Sequence, residues 1–247
     1  MALPQPPAAV TFDCWSTLLR DLDSGGARLR RAAALAALAT RLGSPLEHEA
    51  AVAVIDRSWN VHVEVWRKGG LFGPEGAARW CLEDLGLPTD AAHIEELAEA
   101  IAMGTLEVGT AEVEGAGRSL EALRRAGIPT ALICDTGFTP SRCVRAALER
   151  HGLALDHYFF SDEFGVPKPD PAMFRAALDA TGSAPRDAVH IGDLRRTDIA
   201  GARAAGMAAI RFAGVHDDDW LPEDCVGDEE ADAVLYAWDD LPALLGL

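Results

Sequence analysis

The stretch VTFDCWSTLL, residues 10–19, decides how this chain is read. The apolar run over residues 8–12 has the length of a buried strand, yet it ends abruptly on a carboxylate, Asp13. A bulky indole, Trp15, stands two residues further on, followed by Ser16 and Thr17. An acid at the end of an apolar strand is either a turn residue or part of a working site. Which of the two applies depends on the residues that end the other strands of the fold.

Working outward, the next ninety or so residues read as helix alone. ARLRRAAALAALATRL, residues 27–42, is built of strong helix formers and stops at Gly43. Helical patterning continues over residues 46–66. PEGAARWCLEDLG opens with Pro74 near its first helical position and closes on Gly86. TDAAHIEELAEAIAMG offers Thr89 as a cap, with Ile94, Leu97 and Ile101 on one face. Four successive helices with no strand between them make a small bundle. After about residue 110 the pattern alternates: strands are expected at 128–134, 157–160, 188–192, 207–213 and 231–237, with helices between them. That alternation predicts a parallel sheet with crossovers on both faces. The chain is thus read as an α/β core, residues 1–19 and 109–247, interrupted by an all-helical insertion at 20–108.

Composition narrows the function. Of 247 residues, 49% are apolar and 25% charged, enough for a sizeable core. A formal net charge of −17 argues against nucleic-acid binding, which needs a basic surface. The five cysteines form no metal-type or redox-type pair and read as reduced thiols. No secretory leader is read in MALPQPPAA and no apolar run reaches membrane-spanning length, so a cytoplasmic protein is expected. The acidic runs at 216–220 and 227–232 read as solvated loops, with a calcium site at Asp217–Asp219 a remote alternative.

In parallel sheets the working site lies beyond the carboxyl ends of the strands, near a topological switch point. Asp13 with Trp15 and Thr17 follows the first strand. Cys134, Asp135 and Thr136 follow the second. Asp193 follows the strand AVHIG, with Asp198 five residues on. GVPKPDP places Lys168 between two prolines. Taken singly, each has an ordinary reading as a turn residue, a cap or a surface charge. In this order, FDCWSTL, ICDTG, GVPKPDP and GDLRRTDIAGARAAGM together resemble the motifs of the haloacid dehalogenase superfamily of hydrolases, mainly phosphatases, over nearly the whole chain.

The resemblance implies a Rossmann-like three-layer core carrying a helical cap, and a small phosphorylated substrate. It implies that Asp13 attacks phosphorus, and that Mg2+ is held by Asp13, the backbone carbonyl of Trp15 and Asp193. Lys168 would hold Asp13 and the transferring oxygens, with Asp198 as a second acidic support. Thr17, Cys134, Asp135 and Thr136 would stand at the phosphate cradle, and the Trp15 side chain would pack against the substrate or the cap. Two features depart from the pattern. Family phosphatases usually carry a second Asp where Trp15 stands, and indole cannot replace an acid–base; its loss is worth roughly 10²–10⁴-fold. Cys134 and Asp135 stand where Ser or Thr, often followed by Asn, is usual. Two alternatives stay open: a metal-independent 2-haloacid dehalogenase using Asp13, and a binding module that has lost catalysis. In the insertion, Trp59, His62 and Lys68 are either part of an amphipathic helix or lie against the substrate.

Overall fold

A computed structural model describes residues 2–216, 227 and 229–247; the calcium alternative at Asp217–Asp219 lies outside them. Six strands form one parallel sheet in the order β5-β4-β1-β6-β7-β8. These are β1 Ala9–Phe12, β4 Thr130–Cys134, β5 His157–Phe160, β6 Ala188–Gly192, β7 Ala208–Phe212 and β8 Ala233–Leu235. β1, β4, β6 and β7 are buried along their whole length, which is why they read as unbroken apolar runs rather than as alternation.

The chain leaves β1 toward β4 and β5 on one side, then returns to β6, β7 and β8 on the other. The winding therefore reverses at β1. The crevice beyond the carboxyl ends of β4, β1 and β6 is where such a sheet binds ligands. A short pair of strands, β2 (Leu19–Asp21) and β3 (Thr110–Glu112), was not legible in the sequence. Three-residue strands are too short to show a period.

The chain divides into two compact units. The first comprises residues 1–20, 111–135 and 148–247, and holds the sheet. Its helices include α5 (Ala116–Arg125), α8 (Pro171–Thr181) and α9 (Ala200–Ala205). Met173, Phe174, Ala177, Ile199 and Ala202 pack against Ala131, Ile133 and Ala188 of the sheet. α8 starts where its sequence dictates: the Asp170 carboxylate accepts the Ala172 N–H at 2.9 Å, Pro171 takes the first turn, and Gly182 ends the helix in the left-handed region.

The second unit comprises residues 21–110 and 136–147. It contains α1 (Ser24–Arg41), α2 (His48–Arg67), α3 (Gly73–Asp84) and α4 (Ala91–Val108). Leu35, Leu38, Val54, Ile55, Leu82, Ile94, Leu97 and Ile101 fill its core, as their helical spacing requires. Asp90 rather than Thr89 caps α4, accepting the His93 N–H. Among the described residues no helix is long and apolar enough to cross a membrane.

Candidate active site

Three strand ends deliver the polar groups. Asp13 leaves β1 with its backbone N–H bonded to the Ile191 carbonyl at 2.8 Å. The chain then turns tightly, with the Leu18 and Leu19 N–H groups on the Cys14 carbonyl. Ser16 adopts φ +59°, a left-handed conformation that glycine takes without strain. Trp15 is half-buried and bridges to Leu19. Thr17 is buried, and among the described residues its hydroxyl has no hydrogen-bond partner. The Thr17 carbonyl accepts from the Trp238 indole at 3.0 Å, which pins this turn to the end of the chain.

Lys168 reaches in from the loop before α8. Its Nζ lies 2.6 Å from Asp13 Oδ1 and 2.6 Å from Asp198 Oδ1, with only 3% of its side chain exposed. Asp135, at the end of β4, accepts the backbone N–H of Lys168 at 2.8 Å. Its carboxylate thus holds the lysine loop. Cys134 is fully buried, and its thiol is pushed well up by its hydrogen bond with Cys14 and by burial. Thr136 is buried and groups with the helical unit.

β6 ends in Gly192-Asp193, and the next turn is a π-helix, Arg195–Ile199, which brings Asp198 back over the strand. Asp198 Oδ2 accepts the Leu194 N–H at 2.9 Å. Glycine at 192 is a steric requirement, because a Cβ there would sit 2.3 Å from Asp198 Cγ. Gly201 makes the same allowance for the Phe174 ring, also at 2.3 Å.

Carboxylate oxygens of Asp13, Asp193 and Asp198 lie within 4.8 Å of one another, and all three residues are buried. Burial raises the Asp13 carboxyl to about 6 against the pull of Lys168. Burial, then repulsion from Asp13 and Asp198, pushes Asp193 well up. Burial opposes ionisation of Asp198 too, but Lys168 and the bond from His190 hold it well below the usual range. Burial would likewise depress Lys168, yet Asp13, Asp198 and Asp135 keep it a firm cation. If all three acids were ionised, one ammonium would leave two surplus negative charges in a buried site. Such a site raises its carboxyl pKa values or takes a cation. An all-oxygen donor set of this charge suits a hard divalent ion.

His190, in the middle of β6, also belongs here, although no sequence motif singles it out. Its Nδ1 lies 2.8 Å from Thr11 Oγ1 and its Nε2 3.3 Å from Asp198 Oδ1. The available signal is a lone imidazole inside an otherwise apolar strand, AVHIG.

The candidate substrate-facing residues of the insertion divide by exposure. His62 is buried at 8% exposure, its ring 4.9 Å from Trp59 and 5.7 Å from Phe138. Trp59 is 45% exposed, and Lys68 is at the solvated end of α2 beside Glu64.

A parallel sheet whose switch point gathers an aspartate nucleophile candidate, a buried lysine and two further acids defines a class of α/β hydrolase. Residues 7–206 match the model of the haloacid dehalogenase-like hydrolase family, and the chain belongs to that family. Among curated relatives, a phosphoserine phosphatase of Thermus thermophilus is 46% identical over 63 residues, covering 24% of this chain and 25% of the relative. Haloacid dehalogenase-like hydrolase domain-containing protein 3 of Bos taurus is 33% identical over 144 residues, 57% of this chain and 55% of the relative. The matches thus span from a quarter to about half the length of these relatives. Among solved structures, a 2-haloacid dehalogenase from Pseudomonas syringae superposes with a TM-score of 0.65 at 25% identity, covering 96% of this chain and 97% of that one.

Proposed function

We propose that this chain hydrolyses phosphate monoesters of small molecules in the cytoplasm, with Asp13 as the nucleophile. The observation that carries the reading is the convergence of three buried carboxyl groups, Asp13, Asp193 and Asp198, on one site with the buried Lys168 ammonium. Relatedness to a phosphoserine phosphatase supports it. Asp13, Asp193 and the Trp15 carbonyl are the groups that would hold Mg2+, with Asp198 behind them. When bound, the ion would neutralise charge on the site and on the phosphoryl oxygens.

The protein's own groups have distinct tasks. Asp13 Oδ attacks phosphorus in line, the ester oxygen leaves, and an aspartyl-phosphate forms that water then hydrolyses. Lys168 keeps Asp13 ionised and offsets charge on the transferring oxygens. The unpartnered hydroxyl of Thr17 is available to a phosphate oxygen. Asp135 acts through the backbone of Lys168 rather than on phosphate, which removes the difficulty of an acid facing an anion. Trp15 has no proton to give the leaving group, so good leaving groups should turn over far faster than alkyl phosphates. Residues 20–108 would act as a cap over the core formed by 1–19 and 109–247, with specificity read by its side chains.

The aromatic residue two after Asp13 favours a second reading, a 2-haloacid dehalogenase. Retention of both acids in GDLRRTD weighs against it, since the metal-independent chemistry has no use for Asp193. The test is product release from p-nitrophenyl phosphate, a panel of small phosphate esters, and 2-chloropropionate, each with magnesium and after chelation. Phosphate release that needs magnesium and disappears in Asp13→Asn is the expected result. Metal-independent chloride release would replace this reading with the dehalogenase, and no turnover of either class would leave a binding module.

A further inference from the structure

We propose that His190 is a positioning residue that orients Asp198, and through it Lys168, from beneath the site. The inference rests on the catalytic reading of the Asp13–Lys168–Asp198 cluster. His190 is fully buried in a central strand, where an imidazole without partners is costly. Both its nitrogens are engaged: Nδ1 with Thr11 Oγ1 at 2.8 Å, Nε2 with Asp198 Oδ1 at 3.3 Å.

The two contacts fix the tautomer. Asp198 accepts from the Lys168 ammonium on Oδ1 and from the Leu194 N–H on Oδ2, the pattern of a carboxylate anion, so the nitrogen facing it must carry the proton. In a neutral ring Nδ1 is then an acceptor, and the Thr11 hydroxyl donates to it. Register makes this pairing structural rather than accidental, because Thr11 and His190 are direct partners in the β1–β6 ladder. Phe174, on the helix after the Lys168 loop, closes the ring from another side, edge-on at 4.9 Å. A chain of hydrogen bonds therefore runs Thr11–His190–Asp198–Lys168–Asp13.

The chain of bonds supplies direction. Asp198 Oδ2 is held by the Leu194 N–H, and Oδ1 is shared by Lys168 and His190. Without the Nε2–H, Oδ1 is left with the flexible lysine as its donor, the carboxylate gains freedom to turn about its bond to Cβ, and the lysine it holds is aimed less firmly at Asp13. Partners one step removed from a charged site typically change activity by about 10–100-fold when mutated.

Three measurements test this. Imidazole nitrogen shifts of the intact protein at neutral pH should report protonated Nε2 and bare Nδ1. The opposite tautomer overturns the proposal whatever the enzyme hydrolyses. With p-nitrophenyl phosphate and magnesium, His190→Gln, whose amide nitrogen can reach the Nε2 position, should keep kcat within about threefold. His190→Asn, too short to reach Asp198, should lose about 10–100-fold in kcat with KM little changed. Equal losses in the two variants would mean that His190 only fills space. Should either variant fail to fold, Thr11→Val decides: a shifted tautomer ratio with a lower kcat supports the proposal, and unchanged values of both overturn it. If the wild type turns over no ester, the phosphatase reading alone fails, and the nitrogen shifts of the wild type and of Thr11→Val still decide the orientation of Asp198.

Discussion

The α/β unit buries a cluster of ion pairs, whereas the helical unit sets four ion pairs at its surface. In the first, Lys168 meets Asp13 and Asp198 with almost no exposure to water. In the second, four arginines meet their acids on the outside: Arg30 with Glu107 at 3.1 Å, and likewise Arg28 with Asp56, Arg41 with Glu96 and Arg142 with Glu99. Exposed pairs contribute little to stability, while buried ones are costly and rarely the cheapest way to build a core. The comparison teaches that the buried cluster is costly for stability alone, which agrees with the chemistry proposed for it, while the exterior pairs stay solvated.

The sharpest way to break this contrast is to neutralise one member of the cluster. Asp13→Asn and Lys168→Met should each lower kcat by roughly 10⁴-fold or more, read in single-turnover assays. Lys168→Met should also destabilise the fold by about 3–5 kcal/mol in denaturant titrations, since its acids lose their counter-charge. A fully active Lys168→Met protein would sink the assignment.

Next in size is Trp15→Asp. Restoring a carboxyl two residues after the nucleophile should raise the rate on alkyl phosphates by about 10²-fold and leave aryl phosphates nearly unchanged. No gain on any ester would assign Trp15 to packing alone.

His62 extends the comparison to acid. Burial lowers its pKa to about 4 from an unfolded value near 6.5. Between those values the unfolded chain binds a proton that the folded one refuses, so stability is lost as pH falls from 6.5 toward 4. One such group gives a slope of about 1.4 kcal/mol per pH unit. His62→Phe, which preserves the aromatic contact with Trp59 and Phe138, should remove that share of the slope in melts taken from pH 7 to 4.

Gly192→Ala probes shape rather than charge. The added methyl collides with Asp198, and overpacking of this kind costs about 1–3 kcal/mol, with kcat falling alongside. The smallest effect belongs to the outside of the helical unit. Arg30→Met should shift stability by no more than about 1 kcal/mol in the same titrations. A larger loss would mean that the exterior pairs are more than a solvated coat.

Much of this was legible in the sequence because the signals are local. Four successive helices, Pro74 near the start of the third, and apolar strands ending in Asp13 and Asp193 each announce themselves within a few residues. The two short strands β2 and β3 do not, and the expected cap Thr89 gives way to Asp90, since either residue type fills that position. Asp135 illustrates a subtler limit. Its place after a strand points to the phosphate site, and its Oδ1 also accepts a backbone N–H 33 residues away, which no spacing rule finds.

By itself the sequence determined the order of the longer helices and strands and which side chains could do chemistry, because periodicity, caps and strand ends are properties of neighbouring residues. Only the tertiary structure decided that Asp13, Lys168 and Asp198 share hydrogen bonds across 155 and 30 residues of chain, that Asp135 serves the lysine loop, and that His190 stands beneath Asp198. These are facts of strand order and register. Whether two acids distant in the chain become neighbours depends on how the sheet winds about β1, and a run of residues read alone does not contain that.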